Sequence, residues 1–180
     1  MNKYIQIYDN VLSQKKCDDI VDIFEINDKQ YVRQTINEEY VVCKQIKYKN
    51  TNSYPDSIIN NVTAFINNIL DKYLERIVKH TENKYIYSDE LSITFEKYDA
   101  MQGFRLNCVE TNSNNNVKFI LFLNNTNSNN RGQIVFNDEI FVQPKAGTLV
   151  LFPNIWCINY KQHLPIYHDV MLLTGIINIV

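Results

Sequence analysis

The chain has 180 residues, of which 45% are hydrophobic and 21% charged, and its formal net charge is −2. That length allows one domain with a real core, and the composition is that of an ordinary globular protein. The charge excludes a general attraction to nucleic acid or to an anionic membrane, and no hydrophobic run is long enough to span a bilayer.

The opening residues Met1 to Tyr8 alternate apolar and polar side chains and lack the apolar block of a signal peptide. They predict a first strand and an intracellular, soluble protein. Cys17, Cys43, Cys108 and Cys157 are scattered with no CxxC pair, as expected of reduced and mostly buried thiols. Asp9-Asn10 marks a turn and Ser13 a helix N-cap. Cys17, Ile20, Val21, Ile23 and Phe24 then give a helix with one apolar face, ending near Glu25. Residues 31 to 49 are β-rich around Tyr40-Val41-Val42.

Pro55 opens the longest predicted helix. Ile58, Ile59, Val62, Phe65, Ile66, Ile69, Leu70, Tyr73, Leu74, Ile77 and Val78 recur at steps of three and four. The stripe is wide and stops by His80, which suits a helix packed on a sheet better than a coiled coil. From Tyr85 onward the pattern is strand after strand: 91–98, 104–109, 117–123, 133–136, 140–142, 148–152 and 168–179. Asn, Ile, Lys and Tyr are abundant, as in the product of an AT-rich genome. On that ground the Asn-rich patches at 112–116 and 124–130 are expected to be simple polar loops. No linker divides the chain. The expectation is a single α+β domain over residues 1–180, a double-stranded β-helix (a jelly-roll, cupin-like barrel) with N-terminal helices packed on one sheet.

Several segments resemble the prolyl 4-hydroxylase-like Fe(II)/2-oxoglutarate dioxygenases, including their viral and phage-type members. Ile7 to Ser13 with Cys17-Asp18-Asp19-Ile20 is similar to the opening of that family. Phe122-Leu123-Asn124 and Arg131-Gly132-Gln133-Ile134-Val135-Phe136 resemble its "YLN … GGE-x-x-F" hairpin. Pro144 to Pro153 resembles "P-x-x-G-x-L-V-x-F-P", and Leu172-Leu173-Thr174-Gly175 its last core strand. The family chemistry needs a His-x-Asp pair and a distant His on one face of Fe(II), with a basic residue farther on to neutralise the co-substrate.

The resemblance implies Asn107 at the first His, Val109 at the Asp, Ile158 at the distal His and Val170 at the 2-oxoglutarate anchor. None of these suits Fe(II) or a dicarboxylate, so no catalytic residues, metal or cofactor are expected, and the emptied cavity is expected to be apolar. Asn107, Val109 and Ile158 are expected to converge in it, with Tyr98, Trp156, His168 and Thr174 as pocket lining.

A register one residue along replaces the pair by Cys108 and Glu110, which are able to bind metal. With His163 or His168 they would rebuild a site for Fe(II) and 2-oxoglutarate. His80 suits the surface at a helix C-terminus. The expected function is that of a degenerate, non-catalytic oxygenase relative acting in binding or as a structural accessory protein, and a viral source fits the composition. Its partner is an unnamed protein or a second copy, with no nucleic acid and no membrane. The alternative is an active Fe(II)/2-oxoglutarate hydroxylase with displaced ligands.

Overall fold

The computed structural model describes residues 4–26, 32–36, 40–48, 56–77, 92–100, 107–109, 116–154, 158–163 and 165–178. Strand β1 (Gln6–Tyr8) leads through Asn10, at φ 56°, into helix α1 (Gln14–Ile26). Ser13 caps that helix, with its Oγ accepting from Lys16 N at 3.4 Å. Strands β2 (Val32–Ile36) and β3 (Tyr40–Tyr48) follow, then helix α2 (Asp56–Ile77). The remaining strands are β4 (Ser92–Tyr98), β5 (Asn107–Val109), β6 (Asn116–Phe122), β7 (Ile134–Phe136), β8 (Ile140–Val142), β9 (Leu149–Pro153), β10 (Tyr160–His163) and β11 (Val170–Asn178). The expected continuation of α2 to His80 lies outside the described residues.

Among the described residues the strands form two antiparallel sheets that do not close into a barrel. The larger has the order β1-β9-β6-β11-β4-β3-β2 and the smaller β5-β10-β7-β8. Strand alternation divides the apolar residues of the large sheet between two cores. Phe95, Phe119, Leu121, Leu149, Leu151 and Leu173 pack under the helices, against Ile20 and Phe24 of α1 and Ile66, Leu70 and Tyr73 of α2. Their neighbours Ile120, Phe122, Val150, Phe152, Val170 and Leu172 face the small sheet, meeting Ile134, Phe136, Val142 and Ile158. Strand β6 is therefore buried on both faces.

One strand escapes the sequence pattern. Tyr160-Lys161-Gln162-His163 forms β10, the second strand of the small sheet, although nothing in its composition alternates apolar with polar. His163, a candidate ligand in the sequence, is on this strand. The last strand begins at Val170 and not at His168, which precedes it and is exposed.

The Asn patch at 124–130 is not filler. Asn130 is fully buried; its Oδ1 accepts from Tyr167 N (2.7 Å) and His168 N (2.8 Å), and its Nδ2 donates to His168 O (2.8 Å). Asn124 does the same for β11, accepting from Met171 N (2.9 Å) and donating to Asp169 O (2.7 Å). A side-chain amide carries the donor and acceptor of a peptide, so it stands in for a missing strand neighbour. Asn130→Ala would strand two N–H groups and a carbonyl. It is expected to cost roughly 2–4 kcal/mol in urea unfolding, against a few tenths for an exposed asparagine such as Asn129.

Candidate functional site

The space between the two sheets is not the apolar cavity the sequence suggested. Five polar side chains from four strands meet there: Glu96 and Tyr98 of β4, Lys118 of β6, Tyr160 of β10 and Thr174 of β11. All are buried, with Lys118 only 4% exposed. Glu96 Oε2 accepts from Tyr98 Oη at 2.9 Å, and Oε1 accepts from Thr174 Oγ1 at 3.0 Å. Lys118 Nζ donates to Tyr160 Oη and lies 4.9 Å from the centre of that ring. Phe136 and Phe152 pack against Tyr160 with ring centres 5.8 Å and 5.2 Å away, which keeps the ammonium in apolar surroundings.

Burial pushes the Lys118 pKa down to about 8, with the Glu96 carboxylate pulling the other way. The pattern that produces this cluster is strand alternation. Lys118 shares its face with Ile120 and Phe122, and Glu96 shares its face with Tyr98. Sequence reasoning passed over both charges, and only their parity could have flagged them.

Tyr98 and Thr174, expected to line a pocket, thus belong to one hydrogen-bonded group. Ile158 is fully buried between the sheets, and Val170 is too. Val170 stands opposite Tyr98 in the β4–β11 register, and a Cβ placed on Gly132 would come within 2.5 Å of its Cγ2. The anchor position is packed shut around valine.

The small sheet places β5 against β10 with Asn107 opposite His163, Cys108 opposite Gln162 and Val109 opposite Lys161. Directly opposed residues of an antiparallel pair share a face. Gln162 is buried, and Cys108 holds the register position opposite it. The side chains of Asn107, Cys108 and Val109 lie outside the described residues. The expected convergence of Asn107 and Val109 with Ile158 falls on side chains outside the described residues. His168 is exposed, and its backbone is tied to Asn130. Trp156, Glu110 and His80 lie outside the described residues. Among the described residues no group of three or more His, Cys, Asp or Glu side chains could hold a metal ion, and no helix is long and apolar enough to cross a membrane.

Solved structures of 2-oxoglutarate/Fe(II) oxygenases share this fold. A prolyl-4-hydroxylase from Pseudomonas putida superposes with a TM-score of 0.69 at 14% identity, over 97% of this chain and 92% of that one. The viral collagen prolyl hydroxylase of Paramecium Bursaria Chlorella virus-1, in complex with 2-oxoglutarate, gives 0.65 at 12% identity, over 99% and 97%. SnoK, a non-heme α-ketoglutarate-dependent carbocyclase from nogalamycin biosynthesis, gives 0.72 at 9% identity, over 97% and 79%. No family model and no curated protein matches the sequence. At such identities the likeness shows the fold.

Proposed function

We propose that this chain is a non-catalytic member of the oxygenase fold, in which the interior has become a structural core and the surface serves for binding a protein partner or a second copy. The observation that carries the reading is Lys118. Its ammonium lies between the sheets and reaches β10 at Tyr160, two residues from Gln162, the partner of Cys108. A divalent cation held between β5 and β10 would sit close to a fixed positive charge in a medium of low dielectric. A co-substrate carboxylate would find the hydroxyls of Tyr98 and Thr174 already given to Glu96, and valine at the anchor. The residues described here do not fit Fe(II) with 2-oxoglutarate.

The test is a melting assay with Fe(II) or Mn(II) and 2-oxoglutarate, together with metal analysis of the purified protein. Binding to the native state alone would raise the melting temperature in proportion to the logarithm of ligand concentration. The expected result is no shift, no stoichiometric metal and no succinate with any peptide.

One observation favours the alternative, an oxygenase with displaced ligands: Cys108 stands opposite the buried Gln162 in the β5–β10 register. If that reading holds, a chelator lowers the melting temperature, and Cys108→Ala abolishes the chelator's effect.

A further inference from the structure

The outer strand of the small sheet, β8, pairs with β7 alone among the described residues. Its other side offers backbone N–H and C=O groups to a further strand. Ile140 and Val142 pack toward the interior between the sheets, and alternation turns Phe141 the other way, where it is 60% exposed. Alone, an exposed ring needs no explanation. Here it stands on a groove. An open groove of about 400 Å³ is lined by Ile7 of β1, the outer strand of the large sheet, and by Phe141, Val142, Gln143, Pro144 and Lys145 along and beyond β8. Cavities of that size take a small organic molecule, so a phenyl ring fits.

The charges along this edge are ordered. Asp138 and Glu139 precede β8, and Lys145 follows it. Asp138 is engaged by Lys161 at 2.7 Å, whereas Glu139 is exposed and has no ion-pair partner among the described residues. Lys145 is exposed and meets Asp9 only at 4.0 Å. A strand with an acid at its start and a base after its end is complementary to itself when run antiparallel.

We propose that β8 is the contact through which two copies of this chain pair, edge to edge and antiparallel, about a twofold axis at Val142. This rests on the reading that the surface of the chain is its binding part, and it names the partner. Glu139 and Lys145 each lie three residues from Val142, so Glu139 stands opposite the partner's Lys145 and Phe141 opposite the partner's Gln143. Gln143 lines the groove, so each Phe141 ring is delivered to the groove of the other copy, and the symmetry makes every contact twice. Opposite charges across a ladder and a ring on apolar walls both favour the pairing. An extended peptide would use the same backbone groups, but it would need the same order of charges, which a second copy already carries. With only three residues in β8, the dimer is weak and forms as concentration rises.

Sedimentation velocity of the parent, from micromolar protein up to about 1 mM, should show a monomer–dimer equilibrium. Phe141→Ser should weaken association at least about tenfold and leave the melting temperature of the monomer unchanged, since the ring is exposed. Glu139→Lys and Lys145→Glu should each weaken it by at least about tenfold, because each would set like charges opposite one another twice. An equimolar mixture of these two variants should recover the parent's association, since the mixed pair restores both oppositions. Lost folding cannot produce that recovery. The proposal is overturned if the parent stays monomeric throughout, if Phe141→Ser or either charge variant alone dimerises as the parent does, or if the mixture stays monomeric. These readings need no metal. Stoichiometric metal in a dimeric protein would sink the non-catalytic reading alone, and a metal-free monomer would sink the pairing alone.

Discussion

Gly147→Ala should leave little or no folded protein at 37 °C. Gly147 sits at φ 77° in the turn between Pro144 and β9, where its O accepts from Val11 N at 2.8 Å and its N donates to Phe122 O at 2.9 Å. A Cβ there would lie 2.1 Å from the carbonyl oxygen of Leu12. The obstacle is backbone, pinned on one side by the start of α1 and on the other by β9, so it cannot swing aside as a side-chain tip would. Adding the left-handed penalty of ~1–2 kcal/mol to a clash of that depth gives a loss on the order of 4 kcal/mol or more. That is a large share of the whole stability of a domain this size. Gly132→Ala is the comparison: its Cβ would meet Val170 Cγ2, a methyl group at the end of a side chain, at 2.5 Å. The expected loss there is about half as great, and circular-dichroism melts of the two variants measure the difference. Equal melting temperatures for Gly147→Ala and the parent would show that the turn between the sheets and α1 can be rebuilt.

Gly147 was legible beforehand as the glycine of the "P-x-x-G-x-L-V-x-F-P" segment, and so was much of the fold. Helix α2 could be placed because its apolar residues recur at three and four. β6, β9 and β11 could be placed because strands covered on both faces are almost continuously apolar. The failures share a cause. Strand β10 is hidden because both of its inward residues, Tyr160 and Gln162, are polar, so the hydrophobic alternation that marks a half-buried strand is missing. Lys118 and Glu96 were missed for the same reason, since charge is normally a sign of solvent. The Asn patch at 124–130 is the expected loop, but its bonding to the last strand is not legible, because a side-chain amide replacing a strand neighbour leaves no periodic trace. His168 was expected inward because alternation was carried two residues beyond the start of β11. The positive φ of Arg131 has no signature in an arginine at all.

Raising the pH from 8 to 9 should make the protein more stable, and Lys118 is the reason. Its amine has a pKa of about 8 in the folded chain, against 10.5 for an ordinary lysine. Below pH 8 both states carry the proton, and the folded state bears the full penalty of a buried ammonium. Between pH 8 and about 10.4 the unfolded chain keeps a proton that the folded chain has released. Stability then rises with pH, by up to about 3 kcal/mol over the whole interval.

The upper part of that interval is masked by groups of the opposite sign. Burial raises the Cys17 thiol from 9.0 to about 11, so its contribution is lost progressively above pH 9. Tyr73, whose hydroxyl donates to Tyr4 O at 2.8 Å, is also raised by burial and opposes above pH 10. The clean window is pH 8 to 9, where urea unfolding should gain about 1 kcal/mol and Lys118→Met should show no gain.

The same pair predicts an asymmetry at pH 7. Glu96→Leu removes the carboxylate that offsets the buried ammonium and should cost roughly 3–5 kcal/mol. Joining it to Lys118→Met should recover most of that loss, because two apolar side chains need no counter-charge. Additive losses in the double variant would mean that the two charges do not sense each other. In that case the buried charge of Lys118 would not weigh against a divalent cation between the sheets.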